Sequence, residues 1–411
     1  MVKRDPHQER NQLGLRDPTT IRLLPAMPGF YEFFCGGGMA RAGLGPEWRC
    51  LFANDIDARK GAAYVANWGS EELRVADVAS LSVGELPGQA DLAWASFPCQ
   101  DLSLAGVGAG LDGARSGAFW AFCLTIRALV ADRRAPRMIA LENVAGVLTS
   151  KTGADFTAIC AALQRLGYRF GALTIDAAHF LPQSRSRVFF VALHADQAPP
   201  DWLISSSPSP YHVSTALKRV ASALPLSIAA DWLWWRAPEP PRADLQLVDC
   251  IHEDTEVARW HSVADTERLL RALSPASRCN LALARESGER AIGALFRRTR
   301  PDGLGGVRVQ AEARFDGLAG CLRTPSGGSS RQFLIVIVGD KTRTRLMTPR
   351  ETARLMGLPD SYALPSRATD AFHLVGDGVA TPVVRFLSEN LLLPLVRHRL
   401  EGGRTLREKS A

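Results

Sequence analysis

The chain has 411 residues, 46% of them hydrophobic and 22% charged, with a formal net charge of +7. That is an ordinary globular composition, long enough for two or three domains and a sizeable core. No apolar run reads as the ~18–20 residues of a membrane span, and "MVKRDPHQERNQLGLRDPTT" lacks the apolar stretch of a secretory signal. Eight cysteines are scattered without a CxxC pair, so metal and redox motifs are unsupported and reduced thiols in a cytosolic compartment are expected. The basic balance is compatible with nucleic acid as a partner.

Residues 1–27 read as a flexible tail. From residue 28 short apolar runs alternate with helical patterns. "GFYEFFCGGG" is a strand breaking into a Gly turn. "RCLFANDID" is a strand ending in acids, followed by the helical "ARKGAAYVANWG". "DLAWASFPC" is a strand ending at Pro98, then "GAFWAFCLTIRALVAD" a helix and "RMIALENV" a strand. "DFTAICAALQRLGY" is a helix, with strands "YRFGALTID" and "RVFFVAL" after it. Such alternation predicts a mostly parallel, doubly wound α/β sheet with ligands beyond the carboxyl ends of its strands.

Near residue 195 the pattern changes. "HADQAPPDWLISSSPSPYH" reads as a linker, and residues 200–330 as a second domain of short strands and loops. The buried strand "QFLIVIVGD" marks the return of the rhythm. "TPRETARLMGL" is a helix capped by Thr348, and "ATPVVRFLSENLLLPLVRHRL" is helical with a break at Pro394. The domain reading is therefore 28–197 and 331–400 for one unit, 198–330 for the other, and 401–411 as a tail.

Several residues at strand ends carry chemistry. Gly36, Gly37 and Gly38 let backbone amides approach a ligand, or make a plain tight turn. Their spacing is not G-x-G-x-x-G, which disfavours a nicotinamide-dependent oxidoreductase. Asp55 falls where such sheets grip ribose hydroxyls, and Asp77 follows another strand; helix capping is the alternative for both. Cys99 lies just past a strand end, with the glycine-studded loop 101–117 after it. Glu142 ends a neighbouring strand as a candidate general acid, or is a surface acid or cap. Gln183, Arg185 and Arg187 recur at period two, suited to a phosphate or a nucleobase, or to a solvated strand edge.

Together, "EFFCGGGMA", "SFPCQDLS", "LENV", "QSRSR", "TPRETARLMGL" and "GDGVATPVV" resemble, in order and spacing, the cytosine-C5 DNA methyltransferases. The resemblance covers roughly residues 29–195 and 320–390. It implies a Rossmann-like methyltransferase fold, dependent on S-adenosyl-L-methionine, with a smaller inserted target recognition domain. By position Cys99 resembles the nucleophile that adds to C6 of cytosine, and Glu142 the acid at the ring N3 and exocyclic amine. Arg185 resembles the group that holds the base at O2, with Arg187 and Gln183 bracing it. Phe34, Gly36, Gly38, Asp55, Ile56, Asp77 and Pro98 resemble the cofactor-binding set.

Asp377 joins that set as a departure, since the family usually has Asn there; an anion is expected to weaken cofactor binding or to move the Pro-Cys loop. Gln100, Ser103, Arg115, Asn143, Gln183, Arg297 and Arg298 are the expected substrate and DNA contacts, with "FRRTRPDG" and "RTPSGGSSRQ" as DNA-facing loops. The resemblance further implies a double-stranded DNA substrate whose target cytosine is flipped out of the helix and a cytoplasmic, nucleoid-associated monomer without membrane contact. A cognate restriction endonuclease is the functional counterpart. A related tRNA methyltransferase is disfavoured by the missing Cys-Phe-Thr signature and by the roughly 120 residues between the catalytic segments. A catalytically silent DNA-binding module is disfavoured because Cys99, Glu142 and Arg185 are all present.

Overall fold

The computed structural model describes residues 27–98, 117–252, 259–301, 306–324 and 331–398. Seven apolar segments form one sheet: β1 (Gly29–Phe33), β2 (Arg49–Asp55), β3 (Leu73–Val75), β4 (Leu92–Ala95), β5 (Met138–Val144), β6 (Tyr168–Asp176) and β7 (Ser186–His194). Their order is β3-β2-β1-β4-β5-β7-β6. The first five strands pair in parallel, while β7 runs antiparallel to both β5 and β6. Phe30 of β1 faces one apolar cluster, and Tyr31 and Phe33 face another. A strand buried on both faces needs cover on both sides. Helices α1 (Met39–Leu44), α2 (Ala58–Trp68), α3 (Ala118–Ala131) and α4 (Ala154–Arg165) follow their strands and supply it. This is the doubly wound α/β sheet expected from the alternation.

The Pro- and Ser-rich stretch after residue 195 lies along the sheet. Thr174 N–H donates to the His212 carbonyl at 2.7 Å, and Leu233 N–H to that of Phe170 at 2.7 Å. Trp235 Nε1 donates to the Val191 carbonyl at 3.0 Å. Strands β8 (Ile204–Ser205) and β9 (Trp234–Trp235) and helices α5 (Thr215–Ser222) and α6 (Leu226–Ala229) belong to this cover. It shields β6, which would otherwise be an open edge.

Beyond α7 (Leu247–Cys250) a second core begins. Strands β10 (Ala291–Pro301), β11 (Val307–Arg314), β12 (Gln332–Val338) and β13 (Lys341–Leu346) form an antiparallel sheet in the order β11-β10-β12-β13. Two helices missing from the sequence reading, α8 (Val263–Arg271) and α9 (Pro275–Glu286), back it. Ser262 and Ser274 cap them, and Pro275 opens the second. The strand read as a return to the first rhythm, β12, pairs instead with β10 in this small sheet.

The chain then returns to the large sheet through α10 (Pro349–Arg354), α11 (Ala368–Asp377) and α12 (Thr381–Leu387). No break occurs at Pro394. A π-helical turn at Ser388–Leu392 widens the helix just before it, which relieves the clash and missing N–H that proline brings. The stretch Ala368–His398 corrects a second expectation, being long and apolar enough by composition to cross a membrane. Its most apolar window is 72% buried within the protein. Trp48 Nε1 donates to Ser388 Oγ at 2.9 Å, and Ser388 Oγ to the Leu44 carbonyl, docking this helix at the C-terminal end of α1, which starts at the Gly turn.

Beneath that turn sits Glu32, 1% exposed. Its carboxyl accepts the backbone N–H groups of Ala40 and Arg41 in α1, yet burial pushes it up to about 8. The folded state therefore holds a proton that the unfolded chain releases between pH 4.5 and about 8, and stability falls as pH rises through that window. Glu32→Gln is expected to melt several degrees above wild type at pH 8.5 and level with it near pH 5. Thermal denaturation at the two pH values checks this.

Candidate active site

The residues after β1 bend sharply. Phe34 takes φ +57°, Gly36 +54° and Gly38 +77°. A bulky residue in that region is strained, by about 1–3 kcal/mol, and is held there by its surroundings. A Cβ on Gly38 would meet Trp68 Nε1 at 2.4 Å, so that glycine serves packing. A Cβ on Gly36 meets nothing within 4 Å. Of these two predicted cofactor glycines, Gly36 is the one that opens onto free space.

Asp55, at the end of β2, accepts Gly36 N–H on Oδ2 and Asp57 N–H on Oδ1, both at 2.8 Å. A carboxylate has about four acceptor sites, so two remain for hydroxyl groups. Ile56 beside it is 68% exposed, an apolar face without cover. A hydroxyl acceptor, an apolar face and an open backbone turn fit an adenosyl group. Asp77 is exposed and caps the short turn Val78–Ser80 by accepting Ala79 N–H at 2.9 Å. Pro98 is exposed at the end of β4.

The second half of the site lies at β5 and β7. Met138, Ala140 and Glu142 share one face of β5, and antiparallel pairing sets Val144 opposite Arg187. Glu142 and Arg187 are thus diagonal neighbours on that face, within reach of long side chains. Arg187 Nε lies 3.0 Å from Glu142 Oε1, and their side chains are 13% and 8% exposed. Asn143 points the other way. Its amide donates to the Phe97 carbonyl at 3.2 Å, fixing the backbone just ahead of Pro98.

Arg185 is bonded to backbone rather than to Glu142. It is 2% exposed. Nη1 donates to the Leu322 carbonyl at 2.6 Å, and Nη2 to those of Gly376 at 3.2 Å and Gly378 at 2.5 Å. Burial and the like charge of Arg187 lower its affinity for the proton, to about 10. Gln183, fully buried, donates to the Leu355 carbonyl at 2.6 Å and accepts Leu322 N–H at 3.1 Å. These two residues tie β7 to distant chain, while Arg187 borders the acid.

On β10, Arg297 and Arg298 are adjacent and so face opposite sides of the small sheet. Arg297 lies over Phe333 of the helix-side core, and Arg298 is exposed over Phe296. Cys99, Gln100, Ser103 and Arg115 lie outside the described residues, as do parts of both predicted DNA-facing loops.

Asp377 is not the bare anion expected. Lys60 Nζ lies 2.7 Å from its Oδ2, and Thr324 donates to its Oδ1. Lys60 was not singled out from the sequence; its only local signal is a position one turn after the N-cap Asp57. Arg185→Met is expected to destabilise the fold by about 3 kcal/mol or more, since three carbonyls lose a charged donor. Arg187→Met is expected to cost less than half of that. Urea denaturation of both variants checks the contrast.

A family model described as C-5 cytosine-specific DNA methylase matches residues 29–392. Over 366 residues the chain is 24% identical to Type II methyltransferase M.HhaI of Haemophilus parahaemolyticus, covering 88% of this chain and 93% of that protein. It is 26% identical over 399 residues to Type II methyltransferase M.HpaII of Haemophilus parainfluenzae, covering 93% and 94%. The crystal structure of S. pombe Dnmt2 methyltransferase shares the fold, with a TM-score of 0.53 at 15% identity over 89% of this chain and 98% of that one. With the Gly turn, the Glu142–Arg187 pair and the family match in register, the chain belongs to the C-5 cytosine-specific DNA methylases and is a DNA (cytosine-5)-methyltransferase.

Proposed function

We propose that the chain flips a cytosine out of duplex DNA, attacks its C6 with Cys99 and methylates C5, as the modification enzyme of a restriction–modification system. The observation that carries this reading is the Glu142–Arg187 pair beside the Asn143-anchored backbone that leads into Pro98 and Cys99. Flipping costs a few kcal/mol and gives the thiolate access to the ring. Glu142 keeps Oε1 on Arg187 and offers its other oxygen to N3 and the exocyclic amine. Addition of the Cys99 thiolate to C6 then makes C5 electron-rich. S-adenosyl-L-methionine, when bound, supplies the methyl group. Loss of the C5 proton lets the Cys99–C6 bond break and restores the ring, so one difficult substitution is split into easier steps.

In this reading two roles implied by the family resemblance are exchanged. Both terminal nitrogens of Arg185 are taken by backbone carbonyls, so Arg187 is assigned to the cytosine O2 and Arg185 to bracing. Asp55, Ile56 and the Gly36 backbone would hold the cofactor. The small sheet with α8 and α9 is the target recognition unit, and β12 and β13 extend it to Leu346. Arg298 is its candidate DNA contact. The enzyme acts as a monomer, paired in function with a cognate endonuclease.

The test is mechanism-based trapping. Duplex DNA bearing 5-fluorocytosine, with S-adenosyl-L-methionine, is expected to yield a covalent adduct on a denaturing gel with wild type and none with Cys99→Ser. An adduct that survives in the serine variant sinks the assignment. Arg187→Met is expected to slow methyl transfer by about 100-fold or more, the scale for losing one preorganised donor.

A further inference from the structure

Helix α2 opens at Asp57, which caps it through the Arg59 and Lys60 amides. Lys60 lies one turn in, on the side that meets α11. Its ammonium sits 2.7 Å from Asp377, and Asp55 and Asp57 act on it as well. Arg59 next to it bridges Asp57 at 3.2 Å and Asp370 at 3.5 Å. A small cleft lined in part by Asp57, Lys60, Asp370 and His373 opens beside the pair. Asp377 is thus the acid bonded to Lys60, within the field of the candidate cofactor residue Asp55. Lys60 and Asp377 are 317 residues apart in the chain.

A neutral amide at position 377 needs no counter-ion; an aspartate does. We propose that Lys60 is a specificity-determining residue: its pairing with Asp377 sets the charge of the cofactor pocket, and with it the preference between S-adenosyl-L-methionine and S-adenosyl-L-homocysteine. This rests on the cofactor assignment above. The two ligands differ by a methyl group and by the sulfonium charge that comes with it. A unit charge exposed at the pocket therefore moves the affinity for one more than for the other. With the pair intact the charges cancel. Without Lys60, Asp377 favours the sulfonium ligand; without Asp377, Lys60 disfavours it. The two side chains are 21% and 36% exposed, so solvent and salt screen the effect and a shift of about three- to tenfold is expected.

Calorimetric titration of both ligands into wild type and three variants tests this. Lys60→Met is expected to shift the affinity ratio toward S-adenosyl-L-methionine, and Asp377→Asn toward S-adenosyl-L-homocysteine. The double variant is expected to return to the wild-type ratio, and Lys60→Arg to keep it. A purely structural role lowers both affinities together; a ratio unchanged in both single variants overturns the proposal. Wild type that binds neither ligand overturns the cofactor assignment itself, which separates the two failures.

Discussion

Arg185 holds together three stretches of backbone that are far apart in sequence. A buried guanidinium costs several kcal/mol unless its lost hydration is replaced. Here the carbonyls of Leu322, Gly376 and Gly378 replace it at Nη1 and Nη2, while the buried Nε has no partner among the described residues. The start of β7, the segment that leaves the small sheet and the turn after α11 are thereby fixed to one another. None can move off without stranding a charge. Gly376 belongs to the same constraint, since a Cβ there would lie 2.6 Å from the backbone of Arg323 and Thr324.

With that junction set, the neighbouring groups are free for chemistry. Arg187, two residues on, reaches Glu142 across the β5–β7 ladder. A second buried polar contact joins the small sheet to the helix that follows it. Arg345 of β13 makes bidentate bonds of 2.7 and 2.8 Å to Glu351 of α10, and both residues are almost wholly buried. His252 and Thr348 amides also donate to Glu351, so the pair is fully hydrogen-bonded, the condition under which a buried ion pair is tolerated. The edge of the small sheet is thus anchored to α10 by polar geometry as well as by apolar area.

Much of this was legible in the sequence because it is local. Strand and helix periods, the Gly turn, the capping of Thr348 and the order of the motifs depend on neighbours a few residues apart. The misses share the opposite cause. Arg185 and Arg187 form one pattern at period two, and only the return of residues 322 and 376–378 gives the two side chains different partners. Lys60 gains its meaning from Asp377, which no local rule connects to it. The helices α8 and α9 were overlooked although Ser262, Ser274 and Pro275 signal their starts. Pro394 misled in the other direction, since a π turn upstream absorbs what proline usually breaks.

The central claim is that the Glu142–Arg187 pocket and Cys99 together methylate cytosine C5 in DNA. Bisulfite sequencing of plasmid from cells that express the chain tests it most directly. The account predicts that cytosines within one short recurring sequence resist conversion, and that every one converts when Cys99→Ser is expressed instead. Complete conversion with the wild-type chain, or protection that persists in the serine variant, contradicts it.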